Sequence, residues 1–296
     1  MKRTPLLTIG LPVYNSERYL EQSLDSLLNQ SFGEFRLIIS DNASTDRTGE
    51  ICQDYARRDQ RIDYFRNSTN IGLSPNFNRV FELSDSPYFK WATADDYWAP
   101  SMLEKALAIM ESDTQVALCY PKTILVDADG NNPRPYEDNL HLISDNPRER
   151  FTQLLEQIHL SHQHLGVSRA SMIRRTRMLG KHVGSDINFL AELALYGKFY
   201  EIPERLFFRR FHKLSSSWAR TDRKHQEKRY HSSITSRIVL NDWRQYFEFF
   251  RAVHGAPIGI KNRLALYRYL TRRMRWDRGF LIRELKTKAD SYWREN

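Results

Sequence analysis

Short continuous apolar runs alternate along this chain with longer stretches whose apolar residues recur at helical spacing. Residues 6–13 form a run of the first kind and predict a buried strand. Tyr14, Asn15 and Ser16 break it. Leu20, Leu24, Leu27 and Leu28 then share one face of a helix that Asn15 or Ser16 can cap. The cycle repeats: a strand at 35–40, a turn at 41–46 whose Ser44 or Thr45 can cap, and a helix marked by Ile51, Cys52 and Tyr55. A strand at 61–65 precedes Asn70-Ile71-Gly72 and a helix bearing Phe77, Val80, Phe81 and Leu83. A fourth strand at 88–92 points at Asp95-Asp96, just before a helix opened by Pro100.

Strands and helices alternating at this spacing predict an α/β chain with a doubly wound parallel sheet. Ligands of such sheets bind outside the carboxyl ends of the strands. Tyr14, Asp41, Asp95 and Asp96 all fall at such ends, so one fold rule gathers them into one crevice.

The second half reads as a helix on Met102, Leu103, Ala106, Leu107 and Met110, then two strands at 116–120 and 123–126. Asp127-Ala128-Asp129 has the look of a metal-binding pair, but Asp129-Gly130 between two strand-like runs is a tight-turn signal. Residues 131–146 predict a loop or lid. Helices are expected at 148–159, 169–179 and 186–196, extended chain at 162–167 and 199–211, and helices again from about 221. His159, His162 and His164 have zinc-like spacing without a cysteine nearby. Their alternation with Ser161 and Gln163 predicts a half-exposed strand, with an acceptor contact as its alternative use.

Length, charge and cysteine use narrow the picture. The 296 residues suffice for one large α/β domain with an appendage, or for two modest domains. No apolar run approaches the ~20 residues of a membrane span, and the first residues carry no secretory pattern. Cys52 and Cys119 are expected to be two buried thiols in a reducing compartment. Residues 205–296 hold 23 Lys and Arg against 8 Asp and Glu, a net of +15, while the rest carries −6. That asymmetry suggests an acidic partner for the C-terminal third: a membrane surface, a nucleic acid or an anionic acceptor. The aromatic residues of the same third suit either packing on the catalytic unit or a bilayer interface.

Two adjacent carboxylates at a strand end can hold one hard cation between protein and diphosphate. Asp41 can accept hydrogen bonds from a base or ribose. Asp186, opening an apolar helix, reads equally as a helix cap with Ser185 and as a general base. His212 reads as a surface histidine or as a further metal or diphosphate ligand.

Four ordered motifs carry a resemblance. Thr8 to Leu20 (TIGLPVYNSERYL), Ser40 to Thr48 (SDNASTDRT), Asn70-Ile71-Gly72 with Asn76, and Ala94 to Pro100 (ADDYWAP) resemble the family 2 inverting glycosyltransferases of the GT-A fold. The resemblance is specific over 6–111 and looser to about 218. It implies a GT-A-type doubly wound mixed sheet with a C-terminal helical extension. The expected organisation is a catalytic domain at 1–218, divided into a nucleotide-sugar half (1–111) and an acceptor half (112–218), followed by a basic aromatic helical region at 219–296.

The same resemblance implies a nucleotide-sugar donor, UDP-linked first of all, and Mn²⁺ or Mg²⁺. Pro12, Tyr14, Asn15, Asn70, Gly72 and Asn76 match its donor-binding motifs. Asp41 resembles the aspartate that contacts the base, Tyr14 the aromatic against it, Asp95 the carboxylate near the ribose and Asp96 the metal ligand, with His212 a possible addition. Ser185-Asp186 matches the element that holds the catalytic base. Thr93 stands where many relatives have Asp, and Ser185 where Glu is usual.

Gln226-Glu-Lys-Arg-Tyr230 only superficially matches the motif of processive members, so transfer of one sugar per acceptor is expected. The acceptor would be a glycan or a lipid-linked glycan in surface polysaccharide assembly. The expected location is cytoplasmic, with possible peripheral attachment to an anionic membrane on the inner face of the plasma membrane. A nucleotidyltransferase would need a Gly-rich basic first turn, which is absent from Pro12 to Ser16. A non-enzymatic nucleic-acid binder would leave the acidic pair unexplained, and no nucleic acid is expected as partner.

Overall fold

The structure is a computed structural model; it describes residues 4–212 and 240–295, with side chains through 287. The four expected strands are β1 (Leu7–Val13), β2 (Phe35–Asp41), β3 (Ile62–Arg66) and β4 (Tyr88–Trp91). They are parallel neighbours in the order β3-β2-β1-β4. Between them run α1 (Leu20–Leu28), α2 (Thr48–Arg58) and α3 (Leu73–Glu82). Each buries its apolar stripe: Leu20, Leu24 and Leu27 in α1, Ile51 and Cys52 in α2, Val80 and Phe81 in α3.

The register places Val13 beside Asp41 and Asp41 beside Arg66, so the strand ends form one edge. Gly10 is required in mid-strand. A Cβ there would lie 2.5 Å from the Phe89 ring and 2.6 Å from Val80 Cγ2, so glycine lets α3 close on β1.

Past the acidic turn come β5 (Tyr97–Trp98), α4 (Met102–Ser112), β6 (Val116–Val126), β7 (Arg134–Tyr136) and α5 (Pro147–Gln157). A single 3₁₀ turn (His162–Leu165), β8 (Val167–Arg169), α6 (Ala170–Ile173), α7 (Ser185–Tyr196) and β9 (Lys198–Arg210) follow. The sheet continues β4-β8-β6-β9-β5, with β7 on β6, and β8 is antiparallel to both neighbours. The full sheet is therefore mixed.

Several expectations are corrected, beginning with the loop expected at 131–146, within which Arg134–Tyr136 pairs with β6 as β7. Residues 116–126 form one strand, because Pro121 is absorbed by register shifts against β9 at Pro121 and Lys122 instead of ending the strand. Residues 162–165 coil into a tight turn, and His162 and Gln163 are buried. Of 169–179 only Ala170–Ile173 is α-helical; Met178 takes a left-handed backbone with φ of 60°. Neither helix cap falls where the sequence put it. The Ser16 hydroxyl bonds to Tyr14, and Asp46 accepts the Thr48 N–H at the start of α2.

The C-terminal region holds α8 (Asn241–Gly255), α9 (Ile260–Trp276) and α10 (Arg278–Glu295). α8 packs on α7, and α9 packs on α5 and α8. Tyr246, Phe249, Ala252, Val253, Leu266 and Leu270 are buried there, so a large part of the aromatic tail is core. No helix among the described residues is long and apolar enough to cross a membrane. The expected boundary at 218/219, the start of the tail's helices near 221 and Gln226–Tyr230 lie outside the described residues. Both cysteines are buried and free.

Candidate active site

The acidic turn sits where β4 ends and is sealed by the end of β9. Asp96 is 5% exposed. One of its oxygens accepts the Thr93 hydroxyl at 2.6 Å and the other the Arg210 backbone N–H at 2.8 Å. Burial, reinforced by the neighbouring Asp95 carboxylate, pushes the Asp96 acid up to about 7. Thr93, the residue that departs from the family pattern, therefore serves as a hydrogen-bond partner of the pair.

Asp95 is the more exposed member, with 32% of its side chain accessible. Its Oδ2 accepts the Nε2–H of His212 at 3.0 Å. Burial opposes ionisation of Asp95, but the hydrogen bond and charge of His212 outweigh it and hold the acid below its ordinary value. The Tyr19 ring packs against the imidazole with centroids 5.1 Å apart.

Arg210 fastens this corner. Its Nε donates to the Asp95 carbonyl at 3.0 Å and its Nη1 to the Ala128 carbonyl at 3.0 Å; Nη2 bonds Gln22. The guanidinium lies over the Tyr19 ring, 4.5 Å from its centre. The Asp127–Gly130 segment is a turn, as expected: Asp127 accepts backbone N–H groups from Asp129 and Asn131, and Gly130 has φ of 82°.

The expected donor-side residues divide into two groups. Tyr14 is 47% exposed at the strand edge, and Asn15, with φ of 46°, accepts the Thr45 N–H at 2.8 Å. These two face the crevice. Asp41 is buried and engaged by Arg66, by the Tyr64 hydroxyl at 2.8 Å and by the Ser44 N–H at 2.8 Å. Arg66 is the exposed end of that cluster, with 45% of its side chain accessible. Pro12 is buried in β1.

Asn76 is buried, accepting from Ser40 at 2.7 Å and Asn67 at 3.0 Å and donating to the Ser40 carbonyl at 2.9 Å. Asn70 accepts from Asn42 and from the Gly72 N–H, and Gly72 has φ of 90°. Asn70, Gly72 and Asn76 thus brace the loop between β2 and α3 from within.

Asp186 lies in the first turn of α7, after Gly184 with φ of 84°. The Ser161 hydroxyl donates to Oδ2, and the Ile187 N–H donates to Oδ1 at 3.0 Å. These bonds orient its carboxylate. Asp186 is partly exposed.

A buried histidine and an arginine link the two halves. His162 is buried, and its Nδ1 accepts Nη1–H of Arg209 at 2.6 Å. Its Nε2–H therefore points to Asp138 at 2.7 Å and Thr123 at 2.8 Å. Burial lowers the His162 pKa to about 4. The Arg209 guanidinium, lowered by burial, is held charged by Asp96, Asp95, Asp186 and Asp138, so all four carboxylates act on one cation. A basic Arg209-Arg210 pair next to His212 was the only signal for it in the sequence.

Lys90 was also missed. It is buried in β4, donates to the carbonyls of Trp91 and Leu165, and lies 3.9 Å from the Trp98 ring centre. Burial lowers its pKa well below the ordinary value. It ties the histidine turn to the strand that carries the acidic pair.

Among the described residues no group of three or more His, Cys, Asp or Glu side chains is arranged to hold a metal. Asp95 presents a partly exposed carboxylate, and the largely buried His212 imidazole beside it spends its Nε2–H on that carboxylate. Such a carboxylate fits a hard divalent cation that takes its other ligands from diphosphate and water.

The model of Glycosyl transferase family 2 matches residues 8–181, more than half of the chain. The chain belongs to that family. It is 30% identical over 129 residues to an uncharacterized glycosyltransferase of Methanocaldococcus jannaschii, covering 43% of this chain and 44% of that protein. It is 32% identical over 158 residues to an uncharacterized glycosyltransferase of Haemophilus influenzae, covering 52% and 63%. A putative teichuronic acid biosynthesis glycosyltransferase of Bacillus subtilis, TuaG, is 35% identical over 106 residues, covering 36% and 42%. Each match spans less than two thirds of the relative's length.

Among solved structures, S. aureus TarS 1–349 in complex with UDP-GlcNAc superposes with a TM-score of 0.67 at 16% identity, over 90% of this chain and 72% of that one. The mannosyltransferase PcManGT of Pyrobaculum calidifontis, in complex with GDP-Man and Mn²⁺, gives 0.55 at 14% identity, over 100% and 89%. The glycosyltransferase fold of this chain is thus GT-A, with helices added at the C-terminus.

Proposed function

We propose that this glycosyltransferase moves one sugar from a nucleotide-diphosphate donor to an acceptor hydroxyl, with inversion at the anomeric carbon. One observation carries the reading. The partly exposed carboxylates of Asp95, after the end of β4, and of Asp186, in the first turn of α7, both act on the Arg209 guanidinium near the end of β9. Charge on a departing diphosphate and a base for the acceptor are the two requirements of a single displacement.

Asp95 would hold Mn²⁺ or Mg²⁺, joined by His212 once its Nε2 has given up the proton now shared with Asp95; the ion when bound supplies positive charge to the leaving diphosphate. This exchanges the roles expected of the acidic pair. Asp96, enclosed by Thr93 and the Arg210 N–H, shapes the turn, and Asp95 faces the donor. On the donor side Tyr14, Asn15 and Arg66 surround the nucleotide, with Arg66 oriented by Asp41. UDP sugars are the first donors to test, and GDP sugars the second.

Asp186 takes the acceptor hydroxyl proton as that oxygen attacks the anomeric carbon. The bond from that carbon to the diphosphate oxygen breaks, and its electron pair leaves with the nucleoside diphosphate. Arg209 stands between the two charge changes. A glycan or lipid-linked acceptor fits a role in surface polysaccharide assembly, in line with the likeness to TuaG.

A panel of nucleotide sugars, with Mn²⁺ and with chelator, tests the reading by thermal protection and donor hydrolysis. At least one donor should protect the protein only with the metal. Uniform failure across UDP, GDP and dTDP sugars would overturn it.

A further inference from the structure

The outer face of α9 combines two features that are rarely exposed together. Ile260 and Leu264, one turn apart, are 63% and 51% exposed, while Leu266 and Leu270 on the opposite side are fully buried. Between and beyond the exposed pair lie Lys261, Arg268, Arg272 and Arg275, all exposed. The helix contains no acidic residue over its 17 positions. Phe247 of α8, 56% exposed, adds a third apolar side chain, and Trp276, 70% exposed, ends the stripe beneath the Arg272 guanidinium.

An open groove of about 570 Å³ runs along the seam of α8 and α9, lined by Arg177, Phe247, Phe250, Arg251, His254 and Tyr267. Arg177, Arg244 and Arg251 all converge on one buried carboxylate, Glu248, and Arg177 has Glu192 as its other acid. Three guanidiniums thus share two carboxylates, and positive charge is left over beside the groove. Tyr267 follows Leu264 by one turn, so the groove opens at the margin of the apolar stripe.

We propose that this face is a monotopic docking surface for an anionic phospholipid bilayer. In this arrangement α9 lies in the plane of the interface. Ile260, Leu264 and Phe247 enter the headgroup boundary, the flanking cations meet lipid phosphates, and the groove receives one headgroup. Aliphatic residues interleaved with unopposed cations are the signature of a helix at a lipid interface.

A nucleic acid would match the charge but gives no reason for exposing Ile260, Leu264 and Phe247. A second copy of the chain would set arginine against arginine across a two-fold axis. The surface lies on the appended helices and does not depend on the proposed reaction.

The test is flotation of the full chain, without nucleotide sugar, on vesicles of phosphatidylcholine with and without phosphatidylglycerol. The protein should float with the anionic vesicles and stay behind with the neutral ones. Raising salt from 0.1 M to 1 M, which shortens screening from ~10 Å to ~3 Å, should release it. Replacing Lys261, Arg268 and Arg272 by Gln should weaken binding about fivefold per cation (~1 kcal/mol each). I260S with L264S should weaken it at least about tenfold while leaving the salt response in place. Circular dichroism should be unchanged in both variants.

Equal binding to both vesicle types overturns the proposal, as do salt-insensitive binding and wild-type flotation of either variant. A dimer dissolved by I260S with L264S, or RNA binding lost with the three cations while flotation persists, also overturns it. Failure here with an intact donor response would leave the transfer reaction untouched; loss of donor binding with normal flotation would do the reverse.

Discussion

Acidification should destabilise this protein through His162, and the size of the effect follows from its surroundings. The side chain is buried, and its Nδ1 is occupied by a proton donated from Arg209. A second ring proton would displace that bond and face a guanidinium, so the folded state holds the imidazole neutral with its pKa lowered from 6.5 to about 4. The unfolded chain takes up the proton below about pH 6.5. The folded pKa is the lower one, so the stabilising contribution is complete above pH 6.5 and is lost as pH falls towards 4. The expected loss is about 2 kcal/mol by pH 5, with a ceiling of ~3 kcal/mol below pH 4.

The assay is urea unfolding of wild type and His162→Gln at pH 7.5, 6 and 5. With a urea slope of roughly 3 kcal/mol/M, wild type should lose about 0.7 M more of its midpoint than the variant over that interval. His182, lowered by burial, falls in parallel in the two proteins and cancels in the difference, while His164, which acts on His162, is controlled by repeating the comparison in a His164→Gln background. Parallel loss in wild type and variant would refute the reasoning, as would an NMR titration of His162 with a midpoint above 6.

Four further outcomes follow from the same contacts. Asp186→Asn should reduce transfer by about a thousandfold or more with donor binding unchanged, seen as a fall in kcat at constant donor KM. Asp95→Ala should remove metal-dependent donor protection while the apo melting temperature stays within a few degrees. Arg210→Lys keeps the charge but loses the planar fork that joins the carbonyls of Asp95 and Ala128; donor KM should rise about tenfold, measured by initial rates. Gly10→Ala must force Phe89 and Val80 apart and should cost about 1–3 kcal/mol in a denaturation curve.

The regular parts of the molecule were legible because each depends on neighbours in sequence. Leucines at helical spacing defined α1, and an unbroken apolar run defined β1. The acidic turn and the helix opened by Asp186 could be placed from such local signals, within a mixed sheet whose fold the family resemblance implied. The cleft was assembled by a rule that needs only strand order.

The illegible parts depend on distant partners. Arg209 meets His162 across 47 positions and Arg210 meets Asp96 across 114, and no local pattern carries that pairing. Asp41 reads as a ligand-facing carboxylate until Arg66 and Tyr64 are seen to enclose it. Pro121 reads as a strand end because the β9 ladder that absorbs it lies about 80 residues downstream. Nothing in the strand around Lys90 shows that the carbonyls of Trp91 and Leu165 and the ring of Trp98 enclose its ammonium.

The seal that Arg210 places on the acidic turn has a consequence for the growing polypeptide. Translation delivers Asp96 more than a hundred residues before the backbone amide that encloses it. A ribosome-bound fragment ending before the last strand would already carry the parallel strands, with the Asp96 carboxylate open to water and Asp95 without its imidazole neighbour. The acidic turn is therefore completed late in biogenesis, only when the returning strand inserts between β6 and β5.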